Sequence, residues 1–547
     1  MTTSIKDTVH GYIELDDFEK KVVDSPWFQR LRRVRQNDVC SFVYPTMLTT
    51  RFEHSLGAMH IAGECLKAAL EDRTSSGSVR GFLQQLGAEL SSAVDVKQPL
   101  DALALFALRA TRMYGALHDI GHPPYSHLIE SCYTPSDIGV PGGVKDRWHE
   151  TNGAEIVQSL LPQAVAATVD NADVLKTVAH LSSKGVKTPA LRAIKQLVDS
   201  VIDADRMDFV LRDGRNSGSD FGIYDLRRLV NSFRIHVVDV QGTVQAVAIR
   251  PLSTALSAIE SLIQERYKIY RWVLFHHRVM QSRALMSYVL AKTSDDTEFD
   301  RRQFQAKNYV PTENPKPGQK AYEYVLLGDG IVDQHLDKHL RRLRALKRTL
   351  SVDEQRLLSA LKILILRDNL GIPLWKRTDE YNGLRERDSF ETKLREAFQN
   401  VSPPPPDDRI RSKHGSYANW VAAALARAGH SHEREITDAI NSGCDGTEWY
   451  LLESPSFKPA GDDRILRKDG SGGLRPDNLS DVSSIASAVT EARSRDVHLF
   501  AFCFVNAPVT DAQAKQIKVD GRKRLAEVIA AYYQNSEVVR LDFDPPA

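Results

Sequence analysis

Long apolar runs are missing from this 547-residue chain. Its most hydrophobic stretches, ALALFAL (102–108) and HLFAFCFV (498–505), fall well short of the ~18–20 residues a membrane-spanning helix needs. Cysteine is scarce and unpatterned. The five residues Cys40, Cys65, Cys132, Cys444 and Cys503 form no CxxC pair, as expected for reduced thiols in a cytosolic protein. An excess of one charge is absent too: 72 Lys+Arg stand against 71 Asp+Glu, a formal net charge of +1. That balance excludes a chain-wide electrostatic grip on nucleic acid and leaves room only for a local basic face. The start, MTTSIKDTVHGYIELDD, has no basic region followed by an apolar one, so no secretory signal is expected. There is no internal repeat and no long low-complexity tract. Together these absences predict a soluble, cytoplasmic protein without a membrane segment.

What is present is ordinary for a globular chain, with 42% hydrophobic and 26% charged residues. At ~150 residues per domain the length allows two to four domains. Helical spacing dominates the first 300 residues. Phe18, Val22, Val23, Phe28, Leu31 and Val34 predict two short helices broken at Pro26, and a further helix starts near His54. An apolar helix over 100–117 ends before Gly121 and Pro123-Pro124. Further helices are expected at 153–169, 189–213, 252–292, 334–348 and 352–368. The alternation in 234–250 around Gly242 predicts a hairpin. Late strands are expected at WYLLES, HLFAFCFV and VVRLDF, with a helix between the last two. Loops are marked at 140–146, 314–318, 402–408 and 469–478, the four-proline run being the best boundary. The expected fold is mostly α. A helical core occupies residues 1–300, a helical extension 301–402, and a small α+β region 403–547.

Six histidines fall between residues 54 and 149, and three of them share LHDIGHPPYSH with Asp119. His118 and Asp119 end the apolar helix. His54 in RFEHSLG and Asp205 in DADRMDFVLRD come from other helices. Two imidazoles and two carboxylates suit a hard or borderline divalent ion and leave coordination positions open, as in a catalytic site. Taken singly, each residue is more often a surface or capping group. In the order H…HD…D, with HD closing an apolar helix, a metal site is the better account.

The chain resembles the HD-domain dNTP triphosphohydrolase family, which includes bacterial dGTPases and the mammalian SAM-and-HD-domain triphosphohydrolase. The likeness runs through HGYIEL (10–15), SPWFQRLRRVRQ (25–36), YPTMLTTRFEHSLG (44–57), ALHDIGHPPYSH (116–127), WHE (148–150), DADRMDFVLRD (203–213) and ERYKIYRWVLFHH (265–277). It covers about residues 7–290, so the HD phosphohydrolase core is placed in 1–300. It implies hydrolysis of (deoxy)nucleoside triphosphates to nucleoside and inorganic triphosphate.

By that resemblance His54, His118, Asp119 and Asp205 hold one divalent ion (Mn, Mg, Fe, Ni or Zn). His149, oriented by Glu130, is the general acid at the leaving 5′-oxygen, the alternative being a helix cap. His122 and His127 face the triphosphate, although His127 could equally brace its turn. Arg51 and Arg206 contact phosphate, or form ordinary salt bridges. Gln36, Phe209, Asp213, Arg266, Tyr267 and His276 (or His277) complete the substrate site. Phe209 stands where the family commonly has Tyr, and Asn37-Asp38 replace small or apolar residues after Gln36, so sugar selectivity stays open. A homo-oligomer and a nucleotide activator are implied as well. The alternatives are an HD phosphodiesterase or phosphatase on another nucleotide, a nuclease, or a module that senses dNTPs or nucleic acid. The basic run KHLRRLRALKR (338–348) is a solvated amphipathic face by default, the alternatives being a nucleotide effector contact or, more weakly, a nucleic-acid patch.

Overall fold

A computed structural model describes residues 3–73, 76–133, 148–165, 168–183, 185–240, 243–296, 299, 301–306, 324–427, 431–444, 446–455, 464–470, 473–535 and 537–543. The loops expected at 140–146 and 314–318, and the hairpin turn at Gly242, lie outside these residues. The fold is mostly α with few short strands. Two compact units interleave along the chain. The first comprises Met1–Tyr270, Asp300–Ile331 and Pro459–Val489; the second comprises Arg271–Phe299, Val332–Lys458 and Thr490–Ala547.

In the first unit, a hairpin of β1 (Thr3–Asp7) and β2 (Gly11–Leu15) precedes the helices. Helix α1 (Arg51–Leu70) opens on a Thr50–Glu53 capping box. It packs on α2 (Leu103–Leu117), which is buried along most of its length. Two short helices follow, α3 (His127–Cys132) and α4 (Trp148–Glu155). Asp203 caps α5 (Ala204–Asn216) by accepting from the Arg206 N–H at 2.8 Å. β3 (Phe233–Val240) and β4 (Thr243–Pro251) form the expected antiparallel pair, and α6 (Leu256–Ile269) follows.

Several expectations need correction. The helix expected over 189–213 is two, Pro189–Lys195 and α5, because Asp203 starts a new helix at a β-region cap. The helix expected over 252–292 is broken by a wider turn at Tyr270–Leu274. Residues 474–478, placed in a loop, form β8 (Leu474–Asn478), paired with β7 (Arg464–Lys468).

The second unit contains α7 (His277–Lys292), most of α8 (Asp329–Ala345), α9 (Phe390–Phe398) and α10 (Tyr417–Arg427). Its sheet orders β5 (Gly371–Pro373), β9 (Phe500–Val505) and β6 (Glu448–Glu453), all antiparallel. Helices α11 (Asp511–Asn535) and α12 (Glu537–Phe543) close the chain. α12 corrects the strand expected at VVRLDF. Val539 and Phe543, four apart, bury the same helical face, and Trp420 Nε1 donates to the Phe543 carbonyl at 2.9 Å. On α8, Leu340 and Leu343 are buried while Arg341, Arg342 and Arg344 are exposed, so the basic run is a solvated amphipathic face.

Candidate active site

Three elements bring the expected metal ligands together. The first turn of α1 carries His54, the end of α2 delivers His118 and Asp119, and the first turn of α5 carries Asp205. His54 Nε2 lies 3.1 Å from Asp205 Oδ1 and 3.6 Å from Asp119 Oδ2, and His118 Nε2 lies 3.4 Å from the same Asp119 oxygen. Ligands held ~2.1 Å from one ion at right angles sit about 3.0 Å apart, so these separations are close to the edges of a single coordination shell.

Both Nε2 atoms are buried and make no aligned hydrogen bond, despite the carboxylates beside them. Both Nδ1 atoms are engaged elsewhere, His54 with Asp208 at 2.8 Å and His118 with the Gly115 carbonyl at 2.8 Å. The outer hydrogen bonds fix the tautomers that leave Nε2 as the ligating atom. Burial works against charge on His54, yet Asp205 and Asp208 overcome it and raise its pKa to about 10. Asp205 drops to about 2, because His54 outweighs its burial. Three carboxylates, Asp119, Asp205 and Asp208, gathered around His54 favour positive charge in this pocket, and the donor set fits a divalent ion.

The support beneath His54 was missed in the sequence. Asp208 is fully buried and accepts from His10 Nε2 at 2.6 Å and from Arg212 at 2.8 and 2.9 Å. Arg212 also reaches Asp7 at 2.9 Å. The available signal was the i, i+3 pair Asp205/Asp208, which places both carboxylates on one helical face. Gly57 on α1 is required here, since a Cβ would collide with the Asp208 carboxylate.

The acid–base cluster adjoins this centre through Asp119. Its Oδ1 lies 3.2 Å from His122 Nε2, and the His122 ring stacks on His149 at 3.9 Å and 15°. Glu130 accepts from the His149 backbone N–H at 2.9 Å, pairs with His149 Nδ1 at 2.7 Å, and meets His127 Nδ1 at 2.9 Å. Burial would raise the Glu130 pKa, but His149 and His127 hold it well below the usual carboxylate range. Burial also lowers His122, whereas the His127 side chain is exposed. The intervening turn puts Tyr125 and Ser126 at φ 52° and 49°. Such non-glycine residues cost about 1–3 kcal/mol each and need firm anchoring. The Tyr125 N–H donates to Asp329 at 2.7 Å, the Ser126 hydroxyl to the Arg35 carbonyl at 2.7 Å, and Arg30 to the His122 carbonyl at 2.7 Å. Gly121 lets α4 approach, because a Cβ there would run into the His149 carbonyl.

Two expected phosphate contacts are engaged elsewhere. Arg51 is buried against Asp119 and donates to Ser126 at 2.9 Å, and Arg206 binds Asp203 and the Ser200 carbonyl. Of the expected sugar site, Gln36 Oε1 and both oxygens of Asp213 are buried without hydrogen-bond partners. Burial, partly offset by Asn37, pushes Asp213 up to about 7. Phe209 meets Tyr270 edge-on at 6.0 Å, Arg266 lies over the same Tyr270 ring, and Tyr267 is half-buried on α6. His276 belongs to the second unit, where its Nδ1 accepts the Arg278 N–H at the start of α7.

A further histidine group lies in the second unit. Asp296 meets His339 at 3.0 Å and the Lys338 ammonium at 2.9 Å, so its charge is already countered.

Residues 51–210 match the HD domain family model, and the chain therefore contains an HD domain. Among named relatives, it is 28% identical over 278 residues to the deoxynucleoside triphosphate triphosphohydrolase SAMHD1 homolog of Dictyostelium discoideum, covering 50% of this chain and 46% of that protein. Human SAMHD1 is 32% identical over 131 residues, 24% of this chain and 17% of its own. An uncharacterised Methanocaldococcus jannaschii protein is 28% identical over 300 residues, 54% of this chain and 51% of that one. The matches thus span about half the length of the first of these relatives. A phosphohydrolase structure from Bacteroides thetaiotaomicron shares the fold, with a TM-score of 0.54 at 18% identity over 92% of this chain and 100% of that one. No helix among the described residues is long and apolar enough to cross a membrane.

Proposed function

We propose that this chain is a metal-dependent phosphohydrolase that cleaves (deoxy)nucleoside triphosphates to nucleoside and inorganic triphosphate. The observation that carries the reading is one buried carboxylate, Asp119, shared by two sites. One oxygen addresses the His54/His118 centre, the other His122, which stacks on the His149–Glu130 pair. A dication held at the first of these sites would thereby adjoin the proton donor at the second, as hydrolysis of a phosphate ester requires.

His54, His118, Asp119 and Asp205 would hold the ion. A divalent ion there supplies positive charge against phosphate oxygens and acidity to water. Water adds at the α-phosphorus, the bond to the 5′-oxygen breaks, and that oxygen takes a proton. His149 fills the donor role. Glu130 occupies Nδ1 and the backbone N–H, leaving Nε2 to exchange a proton with substrate. The exposed His127, its Nδ1 held by Glu130, would meet the phosphate chain through Nε2, and the buried His122 lines the same turn. Gln36 and Asp213 offer unsatisfied acceptors for a sugar hydroxyl, and Phe209 a face for the sugar ring. The resemblance extends the proposal to a cytoplasmic homo-oligomer with a nucleotide activator.

Ion-exchange analysis of products tests it, using each dNTP and NTP with Mn²⁺ or Mg²⁺, singly and in mixtures. Deoxynucleoside plus intact triphosphate is expected. Monophosphate plus pyrophosphate would replace the reading by a phosphodiesterase, and absence of turnover with metal bound by a binding module.

A further inference from the structure

The second unit contains a cavity of about 620 Å³, built from α7, the β5 edge and one face of α11. This lies within the roughly 300–1,000 Å³ typical of small-molecule sites. Arg278, Lys376, Lys515, Lys518 and Arg522 line it, against Glu380, Asp388 and Asp511. Lys515, Lys518 and Arg522 fall at i, i+3 and i+7, so α11 presents them on one face over about 10 Å of axis.

These cations are poorly neutralised. Arg278 donates to Gln281 Oε1 at 2.9 Å and Asn369 Oδ1 at 2.8 Å, both uncharged. Arg522 is buried and donates to the Leu374 and Asp388 carbonyls at 2.7 Å, with Glu380 at 3.8 Å. The Asp388 carboxylate instead faces Lys393 at 3.7 Å. Among the described residues, the ammonium groups of Lys376, Lys515 and Lys518 have no ion pair. Burial lowers Lys518, and repulsion from Lys376 and Arg522 adds to this against Glu380. Burial, and after it His276, Lys376, Arg278 and Lys518, press His277 to about 3. The remaining wall is apolar, with Ile372 and Pro373 on the sheet edge and Val505 and Val509 beyond it.

We propose that this cavity binds a phosphate chain, with a nucleoside polyphosphate as ligand, its base against the apolar wall. Five cations, three along one helix face and two across from them, suit a polyanion better than a single carboxylate, and arginine forks with mobile ammoniums are the usual phosphate partners. Inorganic triphosphate carries the same chain without the base. The proposal does not depend on the hydrolytic reading of the first unit.

The test is calorimetric titration of the full chain in EDTA with inorganic triphosphate and, separately, with dATP and dGTP. Saturable binding is expected, weakened at least 10-fold by K376E/K518E and by the milder K515Q/K518Q, restored by K518R, and unaffected by H118A. A charge-matched control, K413E/K523E, should bind as wild type. Tighter binding of the nucleotides assigns the apolar wall to the base. Equal affinities support a site for the phosphate chain but overturn the assignment of the base. No saturable binding, wild-type affinity in folded K376E/K518E, or an equal loss in the control overturns the site.

Discussion

Replacing Asp213 by Asn should make the protein more stable and a worse catalyst. The Asp213 side chain is buried, with Asn37 only partly offsetting that burial, and its pKa stands at about 7 against 3.8 for an exposed carboxyl. The unfolded chain therefore loses this proton near pH 4, while the fold keeps it until about pH 7. Between those values the native state binds more protons, so stability falls as pH rises. Ionising the group inside the fold costs on the order of 4 kcal/mol above pH 7, since each pKa unit corresponds to about 1.36 kcal/mol. Asn has the same shape and no such titration. Urea denaturation of wild type and D213N from pH 4 to 8 should show the variant gaining on wild type through this window and level above it. In the proposed role the carboxylate accepts a sugar hydroxyl, so kcat/KM should fall about 10- to 100-fold, the value of a charged hydrogen bond. A stability difference that does not change with pH, or a variant weaker than wild type at pH 7.5, would refute the reasoning.

Three further substitutions probe the support around the ion. Asp208→Asn leaves the ligands in place but unpins His54 and weakens the hold on Arg212, so metal affinity measured by calorimetry should fall about 10- to 100-fold. Glu130→Gln should lower kcat about 10²- to 10⁴-fold with metal stoichiometry unchanged, and combining it with His149→Ala should add little. Gly121→Ala pushes against the His149 carbonyl; it should cost about 1–3 kcal/mol in denaturation and lower kcat more than metal affinity.

The residues proposed as metal ligands can be picked out in the sequence because each sits at a helix end marked by local chemistry. The capping Thr50 precedes His54, an apolar run ends at His118-Asp119, and Asp203 opens the helix that carries Asp205. Their supports could not. His10 reaches Asp208, and Asp7 reaches Arg212 one turn further along the helix, only through tertiary packing across some 200 residues, and nothing local distinguishes them from exposed polar groups. Likewise VVRLDF reads as a strand by β-branched content, yet the aromatic cluster of Trp420, Tyr533 and Phe543 makes it a helix. Nor does a linear reading reveal that 459–489 packs with the first unit while the residues on either side belong to the second.

The pairing of charges separates the two units in a way a net charge of +1 conceals. Around the candidate active site the arginines face carboxylates: Arg51 with Asp119, Arg206 with Asp203, Arg212 with Asp208 and Asp7. Such buried pairs orient groups and have little charge left for a ligand. Arg51 and Arg206 were the phosphate contacts suggested by sequence, and with both engaged the phosphate chain must draw its countercharge largely from the bound ion. Substrate affinity at this centre should therefore depend on metal. Removing the ion with EDTA should weaken triphosphate binding here by far more than Arg206→Ala does, whereas the second unit's cavity, where Lys376, Lys515 and Lys518 have no ion pair among the described residues, should bind without metal. Equal triphosphate affinity at the first centre with and without Mn²⁺, measured in the K376E/K518E background, would show that Arg51 or Arg206 releases its carboxylate to take the phosphate.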